Sequence, residues 1–382
     1  MAMADPRAIT GLPATLGLMQ TLRRVGAQLG ALALGCLLIS ASVLGLPAIA
    51  EAALPQGNAV TDPAAILRNA LPVNAPDLQE LQHRLEGTSD DLRAKRWTAL
   101  TSSVRRTQSL LNTRRDAILK TFSDADRPQA ESLLEKLEEQ LQTLATTAEA
   151  QQRDPFLDAR REALATIGTA EGLLVGPFPY AIPSEFDALP RLLGRATVKI
   201  TTTKGDLITV VDGYNAPLTA GAFVDLVQKG FYDGLPFTRA EDFYVLQTGD
   251  PEGPAEGYVD PKTKAERTVP LEIKVPEEKA PFYNQTFEDL GLFKATPTLP
   301  FATLGTLGWA HSDEQLNDGS SQFFFFLYEA ELTPAGLNLV DGRYAAFGYV
   351  VDGFDVLEEL GVDDGIVKAT VVEGADNLVA HG

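Results

Sequence analysis

A single cysteine, Cys36, stands in 382 residues, so no internal disulfide can form. Three histidines, His83, His311 and His381, are too few and too scattered to make a zinc site, and no Cys/His cluster has zinc spacing. Basic residues are also scarce: Lys+Arg 32 against Asp+Glu 52 leaves a net charge of −20. That is the wrong sign for neutralising phosphates, which excludes nucleic acid as a partner. No metal, redox thiol or other cofactor is expected. With 45% hydrophobic and 22% charged residues, the chain is neither disordered, collagen-like nor a polytopic membrane protein. At about 100–200 residues per domain, its length allows two or three domains.

Charge is missing altogether from Val25 to Ala50, directly after Arg23-Arg24. The apolar stretch Leu29–Leu46 is followed by Pro47 and by the small-x-small triplets Ala48-Ile49-Ala50 and Ala50-Glu51-Ala52. Basic flank, apolar run and small-residue site together predict a secretory signal over residues 1–52, with cleavage between Ala50 and Ala52. The run is also long enough to span a membrane if left uncleaved. A twin-arginine signal lacks its usual context here, and Cys36 lacks the Leu of a lipobox. A start at Met19 would place the arginines directly before the run. Cleavage removes the only cysteine, which suits an extracytoplasmic compartment.

Residues 53–174 read as a helical bundle. Trp97, Val104, Leu111 and Ile118 recur every seven residues, with Leu100 and Phe122 on the same face. Leu134, Leu137, Leu141, Leu144 and Ala148 repeat the pattern; Leu157, Arg160, Leu164, Ile167 and Leu174 do so less cleanly. Asp124–Pro128 and Asp154-Pro155 punctuate the helices. Breaks every 25–30 residues favour antiparallel helices of one chain over a dimeric coil, and hence a monomer. The stripe Arg105, Arg106, Arg114 and Arg115 is read as a solvated face paired with the Glu-rich stretch 131–139. Residues 175–190 form a connector whose Phe178, Tyr180, Ile182 and Phe186 are too apolar for a free linker. They predict docked halves, with the bundle partly covering any cleft beyond.

From Ala196 the period changes to two. Thr197–Val211 reads as a hairpin around Lys204-Gly205-Asp206, and Thr219–Lys229 as a short helix. Further strands are expected near 243–247, 305–310, 322–327 and 345–350. Residues 191–382 hold 14 Lys/Arg and 30 Asp/Glu, so most of the excess acid lies here. The stretch 250–289, with ten acidic and five basic residues, lacks the ligand spacing of a calcium loop and reads as a solvated insertion.

This half resembles the cyclophilins. Phe237-Thr-Arg239 followed by Phe243-Tyr244-Val245-Leu-Gln247-Thr-Gly249-Asp250 resembles the family's FHR and F-M-x-Q-G-G-D blocks. Gly305–Ala310, Gly319-Ser-Ser-Gln322-Phe-Phe324 and Leu339-Val340-Asp341-Gly342-Arg343-Tyr344 follow in the family's order. The resemblance implies a closed eight-stranded β-barrel with capping helices, so the fold class is an N-terminal antiparallel bundle followed by a cyclophilin-like barrel over 191–382. Nearly all of the mature chain is similar to the multidomain cyclophilins of the thylakoid lumen in cyanobacteria and plants. That implies a lumenal or periplasmic site of action and Pro-containing protein clients, photosystem II subunits among them, with no membrane contact after cleavage.

Turning an X–Pro bond means crossing a barrier of about 18–20 kcal/mol set by amide resonance. No bond breaks, so no nucleophile is needed; a guanidinium can stabilise the proline nitrogen as it pyramidalises. The resemblance assigns Arg239 that role and gives Gln247 the grip on substrate backbone. It places Tyr244, Val245, Ala310, Phe324, Leu339, Val340 and Tyr344 around the proline. Tyr244, Val245, Leu339 and Tyr344 depart from the family's Phe, Met, Trp and His. These changes weaken apolar contact by about 1–3 kcal/mol, and Val245 and Leu339 are expected to widen the pocket. Two readings therefore stand side by side: an isomerase of low activity, and a Pro-segment-binding chaperone or photosystem II assembly factor without useful turnover.

Overall fold

The computed structural model describes residues 60–327 and 340–380; the signal segment, Met19, Cys36, Leu339 and His381 lie outside them. Six helices precede the sheet among the described residues: α1 Pro63–Asn69, α2 Pro76–Glu86, α3 Thr88–Arg93, α4 Trp97–Leu119, α5 Arg127–Glu149 and α6 Arg153–Leu173. Proline opens α1 and α2 and follows the first residue of α5, where a missing N–H costs nothing. The Asp62 carboxylate caps α1 by accepting from Ala64 N at 3.0 Å.

The expected stripes are the core of this bundle. Leu100, Val104, Leu111, Ile118 and Phe122 are buried with Leu134, Leu137, Leu141, Leu144 and Ala148, and Trp97 packs at the margin. Cross-helix pairs run in opposite directions along α4 and α5: Arg105–Glu149 at 2.7 Å, Gln108–Gln142 at 3.2 Å and Arg115–Glu138 at 3.3 Å. The heptads thus serve antiparallel helices of one chain. Arg114 reaches Asp77 at 3.9 Å. Such exposed pairs contribute about 0–1 kcal/mol each. In α6 the stripe differs from the expected one. Phe156, Ala159, Ala163, Ile167 and Ala170 are buried beside Leu164, Leu157 is only partly buried, and Arg160 turns to the Ser89 hydroxyl at 2.7 Å. Alanines leave a shallow surface against which α5 can pack closely, and they carry little hydrophobic signal in a sequence.

The second half is built on one antiparallel sheet. Its strands are β2 Arg195–Thr202, β3 Asp206–Asp212, β4 Phe237–Glu241, β5 Val245–Thr248, β8 Thr306–Trp309, β9 Phe323–Phe326, β10 Ala346–Asp352 and β11 Ile366–Glu373, in the order β11-β2-β3-β10-β8-β9-β5-β4. Short pairs β1 Arg191–Leu192 with β12 Leu378–Val379, and β6 Glu272–Ile273 with β7 Phe282–Tyr283, lie outside it. The sheet curls until its edges meet. Gly234 N donates to Ile366 O and Ile366 N to Leu235 O, both at 2.8 Å, and Phe237 N donates to Asp364 O at 3.0 Å. Among the described residues two α-helices accompany the barrel, α7 Pro217–Gln228 and α8 Phe354–Glu358. The four phenylalanines of β9 split by alternation. Phe323 and Phe325 face inward, where Phe323 meets Phe223 at 5.1 Å and Tyr232 at 5.3 Å; Phe324 and Phe326 face outward.

The two halves are joined by packing. Ile66 and Leu67 of α1, with Ala70 just after it, belong to the barrel's core cluster rather than the bundle's. The carbonyls of Leu67 and Ala70 accept from Arg195 Nη2 at 2.5 Å and Asn215 Nδ2 at 2.9 Å. The opposite side of the same helix reaches the bundle through Arg68–Glu86 at 3.4 Å and Gln82–Asn69 at 2.7 Å. The connector packs as its composition requires: Ile182, Phe186 and Leu189 lie on the barrel core, and the Tyr180 hydroxyl donates to Tyr214 O at 2.9 Å. Residues 250–289 are not a solvated insertion. Tyr258, Val269, Leu271, Ile273, Val275 and Phe287 are buried in the barrel core. Isolated apolar residues among charges show no period, so the sequence carries no sign of this packing.

Candidate active site

One transverse row of the sheet carries the site. Arg239 of β4 lies opposite Gln247 of β5, Gln247 opposite Phe324 of β9, and Phe324 opposite Gly308 of β8. Residues directly opposite share a face, so cation, amide and aromatic ring stand side by side on the outer surface. Gly308 makes room for the ring: a Cβ there would lie 2.3 Å from Phe324 Cζ. Phe301 stacks on Phe324 at 5.8 Å and Tyr344 meets it edge-on at 5.6 Å, which leaves Phe324 only 4% exposed.

The other expected residues gather around this row. Val245 is buried two positions before Gln247 and lies opposite Phe326. Tyr244 stands exposed, edge-on to Phe326 at 6.2 Å and with its ring 6.0 Å from the Arg239 guanidinium. Ala310 is partly buried, and its N–H donates to Gln322 O at 3.0 Å. Val340 is buried, and its carbonyl accepts from Arg343 N and Tyr344 N. The turn that follows needs Gly342, at φ +80 with Phe287 against it. Burial pushes the Asp341 carboxyl up to about 6, although it accepts from Phe301 N at 2.8 Å. Tyr344 stacks on His311 at 4.5 Å, and burial raises its hydroxyl pKa. Leu339 lies outside the described residues.

Three participants carry no role in the sequence reading. Gln322 accepts from Gln247 Nε2 at 2.8 Å and donates to Glu256 O at 2.8 Å, so it fixes the amide of Gln247 and leaves Gln247 Oε1 as an acceptor. Its adjacency to Phe324 in the motif was the available signal. Phe301 had none, because it comes from a strand-less segment. Glu241 pairs with Arg239, and their spacing of two along a strand was visible. Arg239 itself is half exposed (49%), so the helical half does not bury it.

A curled antiparallel barrel thus carries a solvent-facing arginine, a fixed glutamine and an aromatic floor in one row. Residues 197–374 match the cyclophilin type peptidyl-prolyl cis-trans isomerase/CLD family, and residues 62–175 match the PsbQ-like domain of CYP38-like peptidyl-prolyl cis-trans isomerases. A protein of Synechocystis named as a thylakoid lumen peptidyl-prolyl cis-trans isomerase is 51% identical over 327 residues, 86% of each chain. The chloroplastic peptidyl-prolyl cis-trans isomerase CYP38 of Arabidopsis thaliana is 41% identical over 363 residues, 90% of this chain and 83% of that one. A crystal structure of a Cryptosporidium parvum cyclophilin in the presence of the dipeptide Ala-Pro is 22% identical, covering 46% of this chain and 99% of that one at a TM-score of 0.33. The chain belongs to the cyclophilin-type peptidyl-prolyl cis-trans isomerases. No described helix is long and apolar enough to cross a membrane.

Proposed function

We propose that this chain is a monomeric isomerase of low turnover that acts on Pro-containing segments of protein clients in the thylakoid lumen. Residues 1–52 serve as a cleaved signal, 53–174 as the bundle, 175–190 as the connector and 191–382 as the catalytic domain. The row Arg239–Gln247–Phe324 carries this reading. Phe324, Tyr344, Val245, Val340, Leu339 and Ala310 supply the apolar surface for the proline ring. Gln247 Oε1 accepts a backbone N–H of the client, held in place by Gln322. Arg239 donates to the proline nitrogen as amide resonance is lost, which is where added positive charge lowers the barrier.

The test is the isomerisation rate of a Pro-containing peptide on the mature chain and on Arg239→Ala. Removing the guanidinium should lower kcat/KM at least about tenfold, equivalent to about 1.4 kcal/mol of barrier. An unchanged rate would remove Arg239 from the mechanism. A wild-type rate equal to the uncatalysed one leaves a second reading, a Pro-segment-binding chaperone and photosystem II assembly factor. That reading draws support from the buried Phe324 and the engaged Arg239. Photosystem II clients rest on the likeness of the whole chain to the lumenal multidomain cyclophilins.

A further inference from the structure

The guanidinium of Arg239 is already occupied. Its Nε and Nη2 lie 2.7 Å and 2.6 Å from the same Glu241 Oε1. Both side chains are 49% exposed and stand two residues apart on β4, on the same face. The Tyr244 ring lies 6.0 Å from the guanidinium carbon. One of the five N–H donors of the guanidinium, that on Nε, is thus spent on a carboxylate whose oxygen also lies against Nη2 and offsets the charge. A cation that must respond to a developing lone pair works best when no fixed anion is paired with it.

We infer that Glu241 is a positioning residue that holds Arg239 in reserve, so that the ion pair must loosen before the guanidinium can act on an X–Pro bond. This rests on the reading of Arg239 given above. Turnover is then set by competition between Glu241 and the client for one cation. A solvent-exposed pair of this kind corresponds to a rate factor of about 1.5- to 5-fold. Salt screens an exposed pair, so rising ionic strength should release the wild-type arginine.

The experiment measures kcat and KM on an uncharged Pro-containing peptide for wild type, Glu241→Gln, Arg239→Ala and the double variant, each at low and high salt. Glu241→Gln should raise kcat/KM about 1.5- to 5-fold and abolish the salt-driven rise expected of wild type. In the Arg239→Ala background, Glu241→Gln should change nothing. A gain that persists without Arg239, an unchanged or lower rate in Glu241→Gln, or a salt response shared by both overturns the inference while the role of Arg239 stands. If Arg239→Ala equals wild type, the reading of Arg239 falls and the inference falls with it. Equal denaturation midpoints for wild type and Glu241→Gln separate this effect from a loss of structure.

Discussion

Helix α7 begins without a capping side chain of its own, because Ala216 occupies the position before Pro217. The cap comes from Glu272, 54 and 53 residues further along. Its Oε2 accepts from Leu218 N and Thr219 N, both at 3.0 Å, and from the Thr219 hydroxyl at 3.1 Å. The carboxylate thus satisfies orphan donors at the positive end of a helix dipole. Burial nevertheless pushes its pKa up to about 7, against those same hydrogen bonds. Glu272→Ala should therefore lower unfolding stability by about 1–3 kcal/mol, since two buried N–H groups lose their partner. Urea titration of the two proteins checks this; equal midpoints would mean that water or another group takes over the cap.

At the scale of elements, α1 matters more than its seven residues suggest. It gives Ile66 and Leu67 to the barrel core and Arg68 to the bundle, so neither half is complete without it. Leu67 is 6% exposed, and truncating a buried leucine costs about 2–5 kcal/mol. Trp97 lies in α4 and Trp309 in β8, so each half carries its own fluorophore. In a Trp97→Phe background, Leu67→Ala should lower the unfolding midpoint seen by Trp309. An unmoved Trp309 signal would show that Leu67 does not support the barrel. The heptads of α4 and α5 were legible because one stripe repeats over 23 residues in each helix. The attachment of α1 to the barrel was not, because an isolated Ile-Leu pair does not say which surface it meets.

At the scale of the whole molecule, burial raises three carboxyls among the described residues, Glu171 and Glu272 to about 7 and Asp341 to about 6. Neither oxygen of Glu171 has a hydrogen-bond partner, and nearby Arg68 only partly offsets its burial. A raised acid is protonated in the native state where the unfolded chain is not. Its stability contribution is therefore present below the unfolded pKa and lost as pH rises through the folded one. The window runs from about pH 4 to about pH 7. Below it, exposed Asp206, held low by Lys199 and Thr201, and Asp364, held low by Thr203, pull the other way. The melting midpoint should be at least about 3 °C higher near pH 5 than at pH 7.5. A flat or reversed profile by calorimetry would contradict the burial of these acids.

Sequence alone determined the long helices, six of the eight strands of the main sheet and, through the resemblance, much of the site. Local periods of seven and two mark the helices and strands. The ordered run from Phe237 to Tyr344, by its resemblance to the cyclophilin blocks, joined Arg239, Gln247 and Phe324 in one site, while β4, which carries Arg239, was not among the expected strands. Only the tertiary structure decided which buried surfaces meet. It brought Glu272 to α7, α1 into the barrel core, Phe301 onto Phe324 and residues 250–289 into the interior. These are long-range matches of shape and charge. They leave no local period, since each partner is chosen by what the folded chain brings within reach.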